Sequence, residues 1–322
     1  MAPNVNEELY RTVRMVVGDT DLEFNKTLSA ALFPIGLRDI SFCINGGQLR
    51  EAIAASVDVV VCNTELAGVN FHELAQDIRH QRIAGNPFIV LIATANGIDE
   101  AGMARILQSG VDDLLIKPVD SATLMRRIGA FAKGRKPFVV TPGYIGPTRR
   151  ADRREDGSDD EMIEVPNTIR AKVAFKQSAA EISQMIESAR SHIGEKMAQG
   201  GIKVIARLTK RLMELQRDHT LIDQSRRALR TLASKAAEVA QIHRNSATAQ
   251  YVAPIAERIA QLSERAEGSA MGPPGIEVDL ISQLSEAAQL ATGSAHGVPE
   301  AVPEIVAIVD GYLTRPAADP KA

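Results

Sequence analysis

Histidine and cysteine build most nucleophilic, proton-relay and metal sites, and this chain is poor in both. Its six histidines are His72, His80, His192, His219, His243 and His296, and no two stand at zinc-protease spacing. Its two cysteines, Cys43 and Cys62, form no Cys-x-x-Cys, so no metal centre is expected. Both lie in apolar runs, which reads as buried, reduced thiols in a cytoplasmic protein. A Ser-His-Asp triad needs no neighbours in sequence, but no Gly-x-Ser-x-Gly elbow supports one. Gly-rich phosphate loops are missing too. Arg149, Arg150, Arg153 and Arg154 offer a basic cluster, yet Asp152, Glu155, Asp156, Asp159, Asp160 and Glu161 largely cancel its field. With 37 Lys and Arg against 40 Asp and Glu, nucleic acid is not an expected partner. Residues 1–8 carry neither a basic nor an apolar leader region, and no apolar run nears the ~18–20 residues of a membrane span. Secretion and membrane insertion are therefore not expected.

The elements that must position any chemistry divide the 322 residues into two patterns. Short β-rich runs, Val13–Val17, Ile40–Ile44, Asp58–Cys62, Phe88–Ala93 and Asp113–Ile116, alternate with amphipathic stretches. The stretches predict helices at Asp21–Leu32, Gln48–Ser56, Phe71–Gln81, Asp99–Ser109 and Ser121–Lys133. Such alternation implies a parallel sheet covered on both faces, a flavodoxin-like α/β fold of strand order 2-1-3-4-5. Residues 137–168 read as an arm, Phe138 to Pro147, and a charged linker without apolar periodicity. Residues 169–322 are helical in pattern, with roughly six helices and breaks at Gly200-Gly201, Asp218, Asn245-Ser246, Gly272-Pro273-Pro274-Gly275 and Gly293 to Pro299. The domains expected are thus 1–136, an arm and linker at 137–168, and an all-α domain at 169–322.

In the first 136 residues several landmarks share one order. They are Arg14-Met15-Val16-Val17-Gly18-Asp19, Asp58-Val59-Val60-Val61-Cys62-Asn63 with Leu66-Ala67-Gly68, and Pro87 to Ala93. The most specific is Gly110-Val111-Asp112-Asp113-Leu114-Leu115-Ile116-Lys117-Pro118. This segment resembles the receiver domain of two-component response regulators. In that family an Asp attacks phosphorus, an acidic pair helps it hold Mg²⁺, and a Lys, a hydroxyl and an inward-turning aromatic respond to the phosphoryl group. The resemblance puts Asn63 at the phosphoacceptor, Gly18 and Asp19 at the acidic pair, Ile92 at the hydroxyl, Leu114 at the aromatic and Lys117 at the lysine. A two-residue slip would bring Thr94 to the hydroxyl position instead.

A carboxamide is neutral and a poor nucleophile, and one carboxylate is a weak Mg²⁺ site. The expectation is a non-enzymatic pseudo-receiver with no cofactor and at most weak metal binding at Asp19. Lys117 would then fix the turn before Pro118 and bond Asn63 or Asp19, while Asp19 also suits the N-cap of the first helix. The helical half is similar to histidine phosphotransfer modules around His243, although the Lys-Gly step that follows their histidine is missing. A surface histidine near a helix end is the preferred reading there. The expected function is protein–protein recognition in a two-component or chemotaxis-like pathway, with a histidine kinase or another response regulator as partner and a homodimer through the helical domain. A phosphorelay through His243 and a self-associating scaffold are the alternatives.

Overall fold

A computed structural model describes residues 10–141, 143–149, 162–217, 221–242, 246–269, 273–293 and 301–314. The chain forms two compact units, 1–190 and 191–322. In the first, β1 (Arg14–Gly18), β2 (Asp39–Cys43), β3 (Val59–Asn63), β4 (Val90–Asn96) and β5 (Asp113–Lys117) make an all-parallel sheet of order 2-1-3-4-5. The helices between them are α1 (Leu22–Leu32), α2 (Gly46–Ala54), α3 (Phe71–Arg79) and α4 (Glu100–Gln108), with α5 (Ser121–Lys133) following β5. This is the α/β fold expected.

Each helix begins where the sequence supplies an oxygen to its free N–H groups. Asp21, Asn45, Asn70, Asp99 and Asp120 are the N-caps of α1 to α5, and each side chain accepts from the first turn. Period-2 alternation then sorts the strand residues between two cores. Val16, Val60, Cys62 and Leu91 join the cluster containing Leu49, Leu74 and Ile78 of α2 and α3. Met15, Val17, Val59, Val61 and Ile92 join that of Leu28 and Leu32 of α1 and Leu124 and Ile128 of α5.

The arm is a second, antiparallel sheet of order β7-β6-β8, made of β6 (Phe138–Thr141), β7 (Tyr144–Pro147) and β8 (Met162–Ile163). It is built into the first unit. Phe138 is fully buried, with the guanidinium carbons of Arg79 and Arg135 at 5.1 and 5.2 Å from its ring centre. Gly110, at φ +95°, lies so close to the Ile145 carbonyl that a Cβ would collide with it. Arg149 donates to the carbonyls of Leu107 and Val111. The expected linker is therefore structured at both ends, while Arg150, Arg153, Arg154 and the acidic run fall outside the described residues. Helix α6 (Thr168–Val173) continues this packing: Ile169 enters the α1–α5 core and Lys172 pairs with Asp58 at 2.6 Å.

The remaining elements are α7 (Ala179–Gln216), α8 (Ile222–Ala240), α9 (Ala247–Glu267), α10 (Gly275–Gly293) and α11 (Ala301–Leu313). In the second unit, Leu229, Leu232, Ala236 and Val239 of α8 meet Ile202, Ile205 and Leu212 of α7 in one core with α9, α10 and α11. The break expected at Gly200-Gly201 does not occur. Helix α7 runs through it, because a Cβ at Gly201 would collide with Val239, and the bare backbone lets the two helices close.

Candidate functional site

The alternation that places Val17, Val61, Ile92 and Leu115 in the α1–α5 core carries Asp19, Asn63, Thr94 and Lys117 to the same face, two residues further along each chain segment. All four stand at the carboxyl edge of the sheet, where open parallel sheets hold their sites. Asp19 is buried, and its Oδ2 lies 2.6 Å from the Lys117 ammonium. Its Oδ1 accepts the Asp21 N–H at 3.0 Å, and Asn25 donates to its carbonyl at 3.0 Å. Asp19 therefore positions the N-cap and does not serve as it; Asp21 does. The Phe24 ring sits 4.8 Å from the Lys117 nitrogen, adding a second attraction for the charge.

Asn63 is buried at the end of β3, its Oδ1 taken by the Glu65 N–H at 3.0 Å. Glu65 in turn accepts from Asn96 Nδ2 at 2.9 Å, which ties the loop after β3 to the end of β4. Across the sheet Asn63 pairs with Thr94, and Ile92 pairs with Val61. The hydroxyl beside Asn63 is thus Thr94 and the assignment to Ile92 is corrected: Ile92 is a core residue. Thr94 Oγ1 is buried without a hydrogen-bond partner among the described residues. Leu114 lies on the other face, packed against the α2–α3 core.

Gly18 also faces away from Asp19. A Cβ there would come within 2.9 Å of Leu66 Cδ2, 3.2 Å of Leu49 Cδ2 and 3.4 Å of Cys62 Sγ, so packed apolar side chains and not a cation site face this position. Burial, then the nearby Asp19 and Cys43, pushes the Cys62 thiol up to about 12, so it stays protonated and unreactive. The donor set does not fit Mg²⁺. A single carboxylate, with one oxygen on Lys117 and the other on a backbone N–H, offers little to a cation that wants several free oxygens. Among the described residues no group of three or more His, Cys, Asp or Glu could hold a metal.

Sequence reasoning missed a cluster of buried charges in this unit. Arg79 donates from Nε to Gly110 O (2.8 Å), from Nη1 to Ile89 O (2.9 Å) and from Nη2 to Asp112 Oδ2 (2.8 Å). Asp112 bridges to Arg135 at 2.6 Å and accepts the Leu91 N–H. Arg79 continues the buried stripe Phe71, Leu74, Ala75, Ile78 of α3, and a charge on an apolar stripe was the available signal. His72 is exposed and bonded to Gln76, and His192 is exposed. His243 lies outside the described residues.

No protein-family model matches the chain. Over 84 residues it is 32% identical to the phosphate regulon transcriptional regulatory protein PhoB of Rhizobium meliloti (strain 1021). The match covers 26% of this chain and 36% of that protein, so it spans about a third of the relative's length. No helix among the described residues is long and apolar enough to cross a membrane.

Proposed function

We propose that the protein is a response-regulator-like signalling protein that works by protein–protein recognition in a two-component pathway, takes no phosphoryl group at Asn63 and is not an enzyme. One observation carries the reading: Lys117 is engaged at 2.6 Å by Asp19, while the position that would need a nucleophilic carboxylate holds Asn63, whose oxygen is occupied by Glu65. Both the cation and the carboxamide have partners within the fold, so neither waits for a phosphoryl group. The receiver resemblance and the identity shared with a transcriptional regulatory protein support the pathway. A histidine kinase or another response regulator is the partner this reading favours.

Incubation of the full chain with acetyl phosphate and Mg²⁺, followed by intact mass, tests it. The expected result is no gain of the about 80 Da that one phosphoryl group adds. A stoichiometric gain on the sheet's carboxyl edge would overturn the reading, and one on His243 would establish the phosphorelay alternative.

A further inference from the structure

In the helical unit basic residues outnumber acidic ones on α7 and α8, and acidic residues outnumber basic ones on α9 and α10. Between residues 196 and 235 stand ten Lys and Arg against three Asp and Glu. Between 246 and 293 stand six Asp and Glu against two Arg. On α7 the exposed residues Lys203, Arg207 and Lys210 follow i, i+4, i+7 spacing, which sets them in one row. On α9 the row is Glu257, Gln261, Glu264, and on α10 it is Asp279, Gln283, Glu286, with the same spacing and all exposed. Helices α9 and α10 pack side by side.

Among the described residues of this unit, ion pairs link helix to helix. Arg258 binds Asp310, Arg265 binds Glu277, and Arg230 binds Glu267. The seven charges of the three rows form no ion pair among the described residues. Like charges at i, i+3 and i, i+4 also repel along a helix, so the Lys203-Arg207-Lys210 row costs the isolated helix stability. The exposed acid that continues the α7 row, Glu214, pairs with Arg211 instead, so the three cations of the row have no carboxylate partner among the described residues. The outer charges of every row are seven residues apart, about 10.5 Å along the axis at a rise of about 1.5 Å per residue.

We propose that the helical unit binds a second copy of the chain, the Lys203-Arg207-Lys210 row of one copy seating on the Glu257-Glu264 and Asp279-Glu286 rows of the other. The matched spacing brings cation to carboxylate at both ends of the row at once. Because the two faces differ, each copy keeps one of each kind, and the contact closes reciprocally in a dimer or repeats in a ring or chain. Nothing in this depends on whether Asn63 takes phosphate.

Sedimentation velocity of the full chain over a wide concentration range tests it. Exposed ion pairs are weak and salt-screened. Self-association is expected at about 0.1 M NaCl, where the screening length is about 10 Å, and should weaken at least roughly tenfold at about 1 M, where it is about 3 Å. Two variants follow: K203E/R207E/K210E, and E257K/E264K/D279K/E286K. Each alone should remain monomeric with wild-type helicity, and an equal mixture should associate again, since each carries the complement of the other. A wild-type chain that is monomeric throughout at low salt overturns the proposal. So does association indifferent to salt and to K203E/R207E/K210E, or two folded variants that do not associate when mixed. Phosphoryl labelling leaves all these readouts unmoved, so the two readings fail separately.

Discussion

Substituting Asp112→Asn should cost the first unit more than any other single polar change in it. Asp112 is the counter-charge of two guanidinium groups, with Arg79 at 2.8 Å and Arg135 at 2.6 Å and side-chain exposures of 3% or less throughout. The amide keeps the shape but leaves two buried cations around Phe138 with no anion between them. Breaking a buried pair in this way costs about 3–5 kcal/mol, a fifth or more of a typical domain stability of about 5–15 kcal/mol. For a unit of this size about 1 kcal/mol moves the melting temperature by about 2–4 °C, so a fall of about 6–20 °C is expected. Thermal melts of the full chain by circular dichroism read the loss, and hydrogen exchange at β6 reports whether the arm loosens with it. Burial opposes ionisation of Asp112, but Arg135 and Arg79 outweigh it and hold its carboxyl below the usual 3.8. A depressed carboxylate contributes stability that is complete above that value and is lost as pH falls through the lower, folded one. The gap between wild type and variant should therefore be widest near neutral pH and should narrow below about 3.8. A melting shift under about 2 °C, or a gap that ignores acid, would refute the electrostatic account.

Gly18→Asp should destabilise the fold by about 1–3 kcal/mol and confer no measurable Mg²⁺ binding in a calorimetric titration, because its side chain would be driven against the packed Leu49, Leu66 and Cys62 side chains. A millimolar site gained by that change alone would show that the residue turns toward Asp19. With its thiol pushed up to about 12, Cys62 should be about 10⁻⁴ ionised at pH 8, so iodoacetamide should label it only after unfolding in urea, as mass spectrometry can follow. Gly201→Ala should lose about 1–3 kcal/mol by driving α7 off Val239, despite alanine's better helix propensity; a rise in melting temperature would mean that the helices part easily.

The parts of the site were legible because they sit at strand ends, where local pattern decides position. Short apolar runs end at Gly18, Asn63 and Lys117, and Asp and Asn caps start the helices, so the fold and three corners of the site follow from short stretches of chain. Thr94 was harder for a definite reason. Sliding β4 by two residues preserves which face every side chain takes, so Ile92 and Thr94 satisfy the alternation equally. Only the pairing of Asn63 with Thr94 breaks that tie, and a pairing between strands is not a local property of β4. The arm was illegible for a related reason, since its anchor is Phe138 against Arg79 and Arg135, and the Arg79 contact spans 59 positions of sequence, a distance no local periodicity reports. Gly200-Gly201 shows the same limit from the other side. Glycine costs a helix interior about 1 kcal/mol each relative to alanine, which is why the pair reads as a break. In the fold, the close approach of α7 to Val239 requires that missing Cβ, so the residue that argues against the helix locally is the one that lets it pack.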